Sequence, residues 1–517
     1  MSTPSADIAG RASESQLNGV SDWVEKRAGA LALGIAAATA LVCALRAAQM
    51  PLWFDEILTI LISKLPRVSD IAAACADNAD GMPPGFYLAI RAMTRLGWTD
   101  AIAVRLLCVT GYALFTWCLF RFVSRQKPAV YGLVAMLLPS LTGCWFFATA
   151  GRPYGILLGC TGVAMICWQS ISRGNRRNPA IILLAAALML AASVHYLGFL
   201  LAFPFAVAEG FRSIVSRKID WRVVGAVGSP AFMLAIYAPT MVRAKAHMGI
   251  HWGKPQLLSA ASDVLETFVL PAMPVLIVIL LAGFLIAQLG VKPVNSGPPS
   301  RLPQGELVLV LAMLSLPLVS LLLGRFATHN FVARYSIAAM AGLAIVLTYS
   351  MRTLFLDRRE PALLAALLMV AALGFSQLRH SGAIGSPVHQ IPAEALASGL
   401  PIAVSHPFTF MTMRYYADPA VRKRLSYVAS PEAALKFAGS NSDEYLMIQG
   451  ARYYDTSVVP YRQFVLEHGE FFVFGDDEYH NWLMPQLMND GAEATLIGNG
   501  DRSDRLYRIR MPSASGR

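Results

Sequence analysis

Trp53-Phe54-Asp55-Glu56 sets two adjacent carboxylates among aromatic rings, just beyond a long uncharged run. That run, residues 28–45, carries no charged side chain. At about 1.5 Å rise per residue it nearly crosses the roughly 30 Å hydrocarbon core of a bilayer. A carboxylate at its mouth can take a proton from a hydroxyl, which is the work of a general base. The same two residues can instead open the next helix, with Trp53 in the aromatic belt at the membrane surface.

Further residues able to do chemistry recur at the ends of later apolar runs. They are Arg105, Gly151-Arg152-Pro153-Tyr154, His195-Tyr196, His247, His251 and Trp252, and then Arg325, His329, Arg334 and Tyr335. Arginine and histidine can bind phosphate, and an aromatic-lined groove can hold a sugar or a lipid head group. Each has a structural alternative. Arg105 and Arg334 can be helix-end anchors, the histidines at 247 and 251 can be solvated, and His195 can be a satisfied core residue.

Composition sets the elements that must position these groups. The 517 residues are 56% hydrophobic and only 15% charged, with mean hydropathy +0.50, against roughly 25% charged in soluble domains. The class is therefore a polytopic helical membrane protein. The net charge of +11 does not point to nucleic acid, because the basic residues sit in short clusters between apolar runs. The seven cysteines form no CxxC pair, so neither a disulfide framework nor a zinc site is indicated. No signal peptide is read, since the first apolar run is too long and begins too late.

Residues 1–27 read as a disordered cytoplasmic leader held inside by Lys26 and Arg27. The first run then exits near Arg46, and Asp55 and Glu56 face outward in a loop over 49–102. Within that loop, 84–97 reads as an amphipathic interfacial helix with Arg91 and Arg95 on its polar face. The next spans read as 103–120, 129–147, 154–171, 179–194, 197–211, 223–240, 263–288, 306–323, 335–351 and 361–379, making about eleven in all. The turns on the expected cytoplasmic side hold Arg121, Arg125 and Lys127, then Arg173, Arg176 and Arg177, then Arg212, Arg217, Lys218 and Arg222. They continue with Lys292 and Arg301 in a Pro/Gly-rich loop, and Arg352, Arg358 and Arg359. Every one is basic, as the orientation rule requires.

An odd number of spans places residues 380–517 outside. This tail reads as a small α/β domain. Strands are expected at 401–405, 425–428, 445–449, 471–474 and 494–497, helices at 408–416 and 431–437, and an edge strand at 505–511. The transmembrane domain would occupy 28–379.

The pattern of motifs resembles the C superfamily of membrane glycosyltransferases (GT-C). These are Asp55-Glu56 after the first span, Pro83-Pro84-Gly85-Phe86-Tyr87 in the loop, Arg152-Pro153-Tyr154 after the third span, and Arg334-Tyr335 opening a late one. It is similar to the bacterial relatives of dolichyl-phosphate-mannose–protein mannosyltransferases and of the lipid A aminoarabinose transferase. The resemblance covers about 31–210 and 331–341. It departs at Met82, where the family has His, and at Ala150-Gly151, where it often has Glu-Ala.

The resemblance implies a hexosyl- or pentosyltransferase in the bacterial inner membrane that takes sugar from a polyprenyl-phosphate donor. The acceptor would be a glycan, lipid or protein hydroxyl on the extracytoplasmic face. Asp55 would be the base and Glu56 its companion. Arg105, Arg152, Tyr154, His329, Arg334 and Tyr335 would hold the donor phosphate, with Pro83, Pro84, His195 and His251 on the acceptor side or in support. No cofactor is assigned, and a divalent cation near Asp55 and Glu56 stays open. Other readings are a lipid-linked glycan polymerase or ligase, a transporter or flippase of lipid-linked sugar, and a family member that only binds such a lipid. Against transport, no ionisable residue falls in mid-span.

Overall fold

A computed structural model describes residues 4–175, 177–251, 255–288, 301–380, 391, 393–476, 481–499 and 504–512. Arg176, Trp252, Lys292 and most of the expected 292–304 loop lie outside the described residues. The chain forms two compact units. One comprises 1–48, 105–235 and 255–383, and the other 49–104, 236–254 and 384–517.

The first unit is helical. Helix α1, Pro4–Gln49, runs from the polar leader through the first apolar run. The leader is thus helical from Pro4 onward where disorder was expected. It has no proline after Pro4, and its Ser, Ala and two isolated glycines weaken a helix without breaking one that propagates backward from the span. Among the described residues, eight helices are long and apolar enough to cross a membrane, which makes this a multi-pass membrane protein. Two of the expected eleven spans are bent pairs, Val130–Leu141 with Gly143–Thr149 at 77° and Gln304–Leu314 with Leu316–Thr328 at 41°. A third is the shorter helix Ala339–Leu354. The sharper bend falls between Pro139 and Gly143, and a Cβ on Gly143 would stand 2.7 Å from the Thr267 carbonyl oxygen.

Close packing of Asp100–Val123 against Tyr154–Ser172 depends on glycines such as Gly111 and Gly155. A Cβ on Gly111 would lie 2.4 Å from the carbonyl oxygen of Gly155, and one on Gly155 would lie 2.3 Å from that of Cys108. Small residues let backbones approach where lipid supplies no hydrophobic drive.

The basic turns collect at one end of the helices. Glu25 accepts from the amides of Ala129 (2.8 Å) and Val130 (3.1 Å) and pairs with Lys127 (3.0 Å). Arg352 donates to the Lys127 carbonyl (2.7 Å) and pairs with Asp357 (2.9 Å). Arg173 pairs with Glu306 (2.6 Å), Gln126 reaches the Arg301 carbonyl (3.3 Å), and Arg359 pairs with Asp22.

The second unit holds α2 (Phe54–Ser63), α3 (Val68–Ala76) and α4 (Pro84–Arg95). Twelve residues make α4 about 18 Å long, too short to span. Arg91 differs from expectation. It is buried and donates to the carbonyls of Ser63 (3.2 Å), Leu65 and Pro66 (2.8 Å), closing the C-terminal end of α2 where backbone acceptors lack partners.

The tail carries a six-stranded sheet. Its strands are β1 (Ile402–Val404), β2 (Leu425–Ala429), β3 (Val458–Pro460), β4 (Glu470–Asp476), β5 (Glu493–Asn499) and β6 (Asp504–Arg510), in the order β3-β2-β1-β4-β6-β5. Strands β3, β2, β1 and β4 are parallel, and the β5–β6 hairpin joins β4 antiparallel. Ala403, Val428, Phe464, Phe471, Trp482, Leu487 and Ile509 build its core.

Two expectations for this sheet are corrected. Residues 445–449 belong to a helix, Ser442–Gly450, whose acidic first turn and buried Glu444 and Met447 at i, i+3 outweigh a short apolar run. Strand β6 lies inside the sheet, and β5 takes the edge, because β6 pairs with both β4 and β5. Strand β3 gave no sequence signal. It is three residues long and ends in a proline, tolerable only at an edge.

Candidate functional site

Each unit gathers one group of the expected site residues. In the second unit, Asp55 is the second residue of α2 and Glu56 the third. The fully buried Glu56 accepts from the amide of Trp53 (3.2 Å) and so caps the helix. Half-buried Asp55 sits in the first turn, where the helix dipole favours negative charge, and its backbone carbonyl accepts from Thr59 Oγ1 (2.8 Å). The pair is therefore unequal, with a cap in Glu56 and a first-turn carboxylate in Asp55.

What holds α2 in place comes from the distant tail. The helix Pro407–Tyr416 follows the carboxyl end of β1 and packs on α2. Phe408 lies with its ring 4.5 Å from that of Phe54 and is stacked on Trp53 at 6.4 Å. The Tyr416 hydroxyl accepts from the Leu52 amide (2.6 Å), and Tyr415 donates to Asp100 (2.9 Å). Pro83 is the N-cap of α4 and Pro84 its first residue, so both start that helix. The segment up to His251 docks on the tail. The Ile250 amide donates to Asn441 (2.7 Å), and its carbonyl accepts from Ser440 (3.0 Å) and the Asn441 amide (3.1 Å). His251 is half-buried beside this junction.

In the first unit, Arg152, Tyr154, His195, Arg334 and Tyr335 converge from three separate turns at the helix ends opposite the basic cluster. Arg152, Tyr154 and His195 are buried. The His195 ring lies 5.3 Å from Tyr154 and 6.2 Å from Tyr335, and Arg334 stands 6.0 Å over Tyr335. His195, in the turn between two spans, is pushed down to about 3 by burial first, then by the charges of Arg152 and Arg334. It is therefore neutral at any physiological pH.

Neighbouring residues secure this cluster. Asp263 accepts from the Ala333 amide (2.5 Å), fixing the Ala333–Ser336 turn that carries Arg334 and Tyr335. The side-chain amide of Asn330 donates to the Tyr335 hydroxyl (3.1 Å). Arg105, fully buried, donates to the Ala47 carbonyl (2.5 Å) in the last turn of α1. His329 is exposed at a left-handed position, φ 55°.

Sequence reasoning missed Phe408, Tyr416, Asn330 and the positioning role of Asp263. Only a short loop spacing from Arg334 marks Asn330, and nothing local marks the others. Among the described residues, no group of three or more His, Cys, Asp or Glu comes together to hold a metal ion.

Helices, sheet and clusters together define a multi-pass membrane protein with a small α/β domain. Its fold is similar to that of ArnT from Cupriavidus metallidurans in the apo state, at 14% identity and a TM-score of 0.43, over 92% of this chain and 97% of that one. It is also similar to ArnT from the same organism bound to undecaprenyl phosphate, at 14% identity and a TM-score of 0.41, over 93% and 98%. No protein-family model and no curated protein sequence matches the chain.

Proposed function

We propose that this chain is a membrane glycosyltransferase. It moves a hexose or pentose from a polyprenyl-phosphate donor to an acceptor hydroxyl on the extracytoplasmic face of the bacterial inner membrane. The observation that carries this reading is the convergence of buried Arg152, Tyr154 and His195 with half-buried Arg334 and Tyr335 at the helix ends opposite the basic turns. Two guanidinium groups in such surroundings suit a phosphate whose charge grows during reaction.

The chemistry balances with groups the chain supplies. The Asp55 carboxylate takes the acceptor's hydroxyl proton as its oxygen bonds to the anomeric carbon. The bond from that carbon to the phosphate oxygen breaks, its electron pair stays on the phosphate, and polyprenyl phosphate leaves. Arg152 and Arg334 stabilise the added charge. The acceptor is a glycan, lipid or protein, and no nucleotide takes part. A divalent cation is not needed for any of these steps.

The test is transfer by the purified full chain in liposomes, with a panel of polyprenyl-phosphate-linked sugars and envelope acceptors. Release of polyprenyl phosphate coupled to acceptor glycosylation, unaffected by an uncoupler, is expected. Uncoupler-sensitive movement of the intact lipid-linked sugar, with no bond cleavage, would replace this reading with transport. An alkaline phosphatase reporter fused after residue 380 should be active, and an inactive one would reverse the orientation.

A further inference from the structure

We infer that His195 binds the phosphate of a polyprenyl phosphate as a neutral hydrogen-bond donor through Nε2–H, with its tautomer fixed by the protein. This rests on the phosphate assignment made above and adds a third donor to it.

The imidazole is held from behind. His195 caps the short turn Tyr196–Leu201, and its Nδ1 accepts from the Leu197 amide at 3.0 Å. The backbone is fixed too. The His195 amide donates to the Ala191 carbonyl (3.2 Å), and the Gly198 amide donates to the His195 carbonyl (2.8 Å). Gly198 packs so tightly that a Cβ there would stand 2.1 Å from the Ala191 carbonyl oxygen. The turn can neither shift nor take a larger residue.

With Nδ1 accepting, a neutral ring carries its proton on Nε2. That nitrogen is buried, in a residue only 4% exposed, and has no hydrogen-bond partner among the described residues. Buried donors are nearly always paired, and an unpaired one asks for an explanation. Its charged neighbours, Arg152 and Arg334, are themselves donors. A site ringed by donors fits a ligand with several acceptor oxygens, which a phosphate monoester has. An imidazolium would repel the two guanidinium groups. The neutral ring adds a donor without adding charge.

Two substitutions separate binding from architecture. Asn at 195 keeps a short side-chain acceptor for the Leu197 amide, as helix-capping residues do, but removes the Nε2–H donor. Gln at 195 reaches the Nε2 position with an amide N–H but gives up the cap. Binding of undecaprenyl phosphate and of inorganic phosphate is measured for the full chain in detergent micelles, alongside thermal unfolding.

For H195N we expect affinity for undecaprenyl phosphate to fall about tenfold or more, the effect of losing one hydrogen bond to a charged group, at unchanged melting temperature. H195Q should bind within a few-fold of the wild type and melt lower. A purely architectural histidine gives the reverse pattern and overturns the inference. So does wild-type affinity in H195N, or equal loss in H195N and in a folded H195Q. Inorganic phosphate bound as tightly as undecaprenyl phosphate overturns the lipid assignment. A wild-type chain that binds neither probe sinks the proposed function itself, whereas binding that H195N leaves intact sinks only the role of His195.

Discussion

Asp55 and Glu56 are neighbours in sequence, yet Glu56 caps the helix while Asp55 is the base proposed above, and mutation separates the two. Glu56 is fully buried and accepts from the Trp53 amide at 3.2 Å. Replacing it with Ala leaves that amide without its partner at the start of α2, whose Phe54, Ile57, Leu58, Ile60 and Ile62 are all buried. Loss of a cap costs about 0.5–2 kcal/mol, and a buried donor left unpaired costs about 1–3 kcal/mol. A loss of about 1–2 kcal/mol is therefore expected for Glu56→Ala. That corresponds to roughly 2–4 °C of melting temperature per kcal/mol for a folding unit of about 200 residues. Glu56→Gln keeps an acceptor oxygen and should lose well under 1 kcal/mol.

Asp55→Asn keeps the bond that Thr59 gives to the Asp55 backbone carbonyl, and the amide keeps the shape and much of the hydrogen bonding of the carboxylate. Stability should stay within about 0.5 kcal/mol of wild type, while turnover falls by about 10²-fold or more through loss of the base. The assay is single-turnover transfer from a labelled polyprenyl-phosphate sugar, normalised to folded protein, with melting followed in parallel. The reasoning fails if Asp55→Asn transfers sugar at a near-normal rate. It fails equally if folded Glu56→Gln is as inactive as Asp55→Asn, since the base would then be Glu56 and its cap incidental.

Three further predictions follow from the packing. Arg91→Ala, which strips three backbone carbonyls of a buried donor, should destabilise the α2–α4 region by about 2–4 kcal/mol. Arg91→Lys should not rescue it, because an ammonium lacks the guanidinium fork; limited proteolysis of this loop reads both out. Gly155→Ala should cut the yield of folded protein in size-exclusion chromatography, whereas Gly29→Ala, whose Cβ meets nothing within 4 Å, should not. Glu444 is pushed up to about 7 from its ordinary 4.5, chiefly by burial and against three donors, Trp482, Tyr427 and the Ser430 amide. Its folded-state value exceeds the unfolded one, so its stabilisation is complete below about pH 4.5 and is lost as pH rises through about 7. Melting of the wild type should fall across that window more steeply than melting of Glu444→Gln, and parallel curves would refute the assignment.

The spans and most strands were legible because their signals are local. A membrane segment must satisfy its own backbone, so length and hydropathy mark it. Strands at 402–404 and 425–429 alternate with helices, and that rhythm reads directly as α/β. The roles of polar side chains were less legible because their partners are distant. Arg91 looked like one side of a polar face, yet its acceptors lie at positions 63, 65 and 66. Phe408 lies in the tail, and its partners Trp53 and Phe54 precede it by most of the chain. No spacing rule reaches that far. The stretch 445–449 failed differently, since a four-residue apolar run cannot distinguish strand from buried helix.

The span count has a check that hydropathy alone lacks. A single missed or added crossing inverts every later turn, so a miscount would mix the basic turns with the others. In the first unit they do not mix. Lys127, Arg173, Arg352 and Arg359 bond among one set of turns, together with Glu25, Glu306, Asp357 and Asp22. Arg152, His195 and Arg334 meet at the other helix ends. Ala339–Leu354 shows the force of this. Its 16 residues rise only about 24 Å, short for a crossing. Yet Arg334 precedes it on one side, and Arg352, in its last turn, bonds the Lys127 carbonyl on the other. The short helix therefore traverses the unit. The two bent pairs do the same. The second runs from Glu306, bonded to Arg173, to the turn before Arg334. Among the described residues, eight helices are long and apolar enough to cross, the two bent pairs bring the number to ten, and Ala339–Leu354 joins the same two sets of turns.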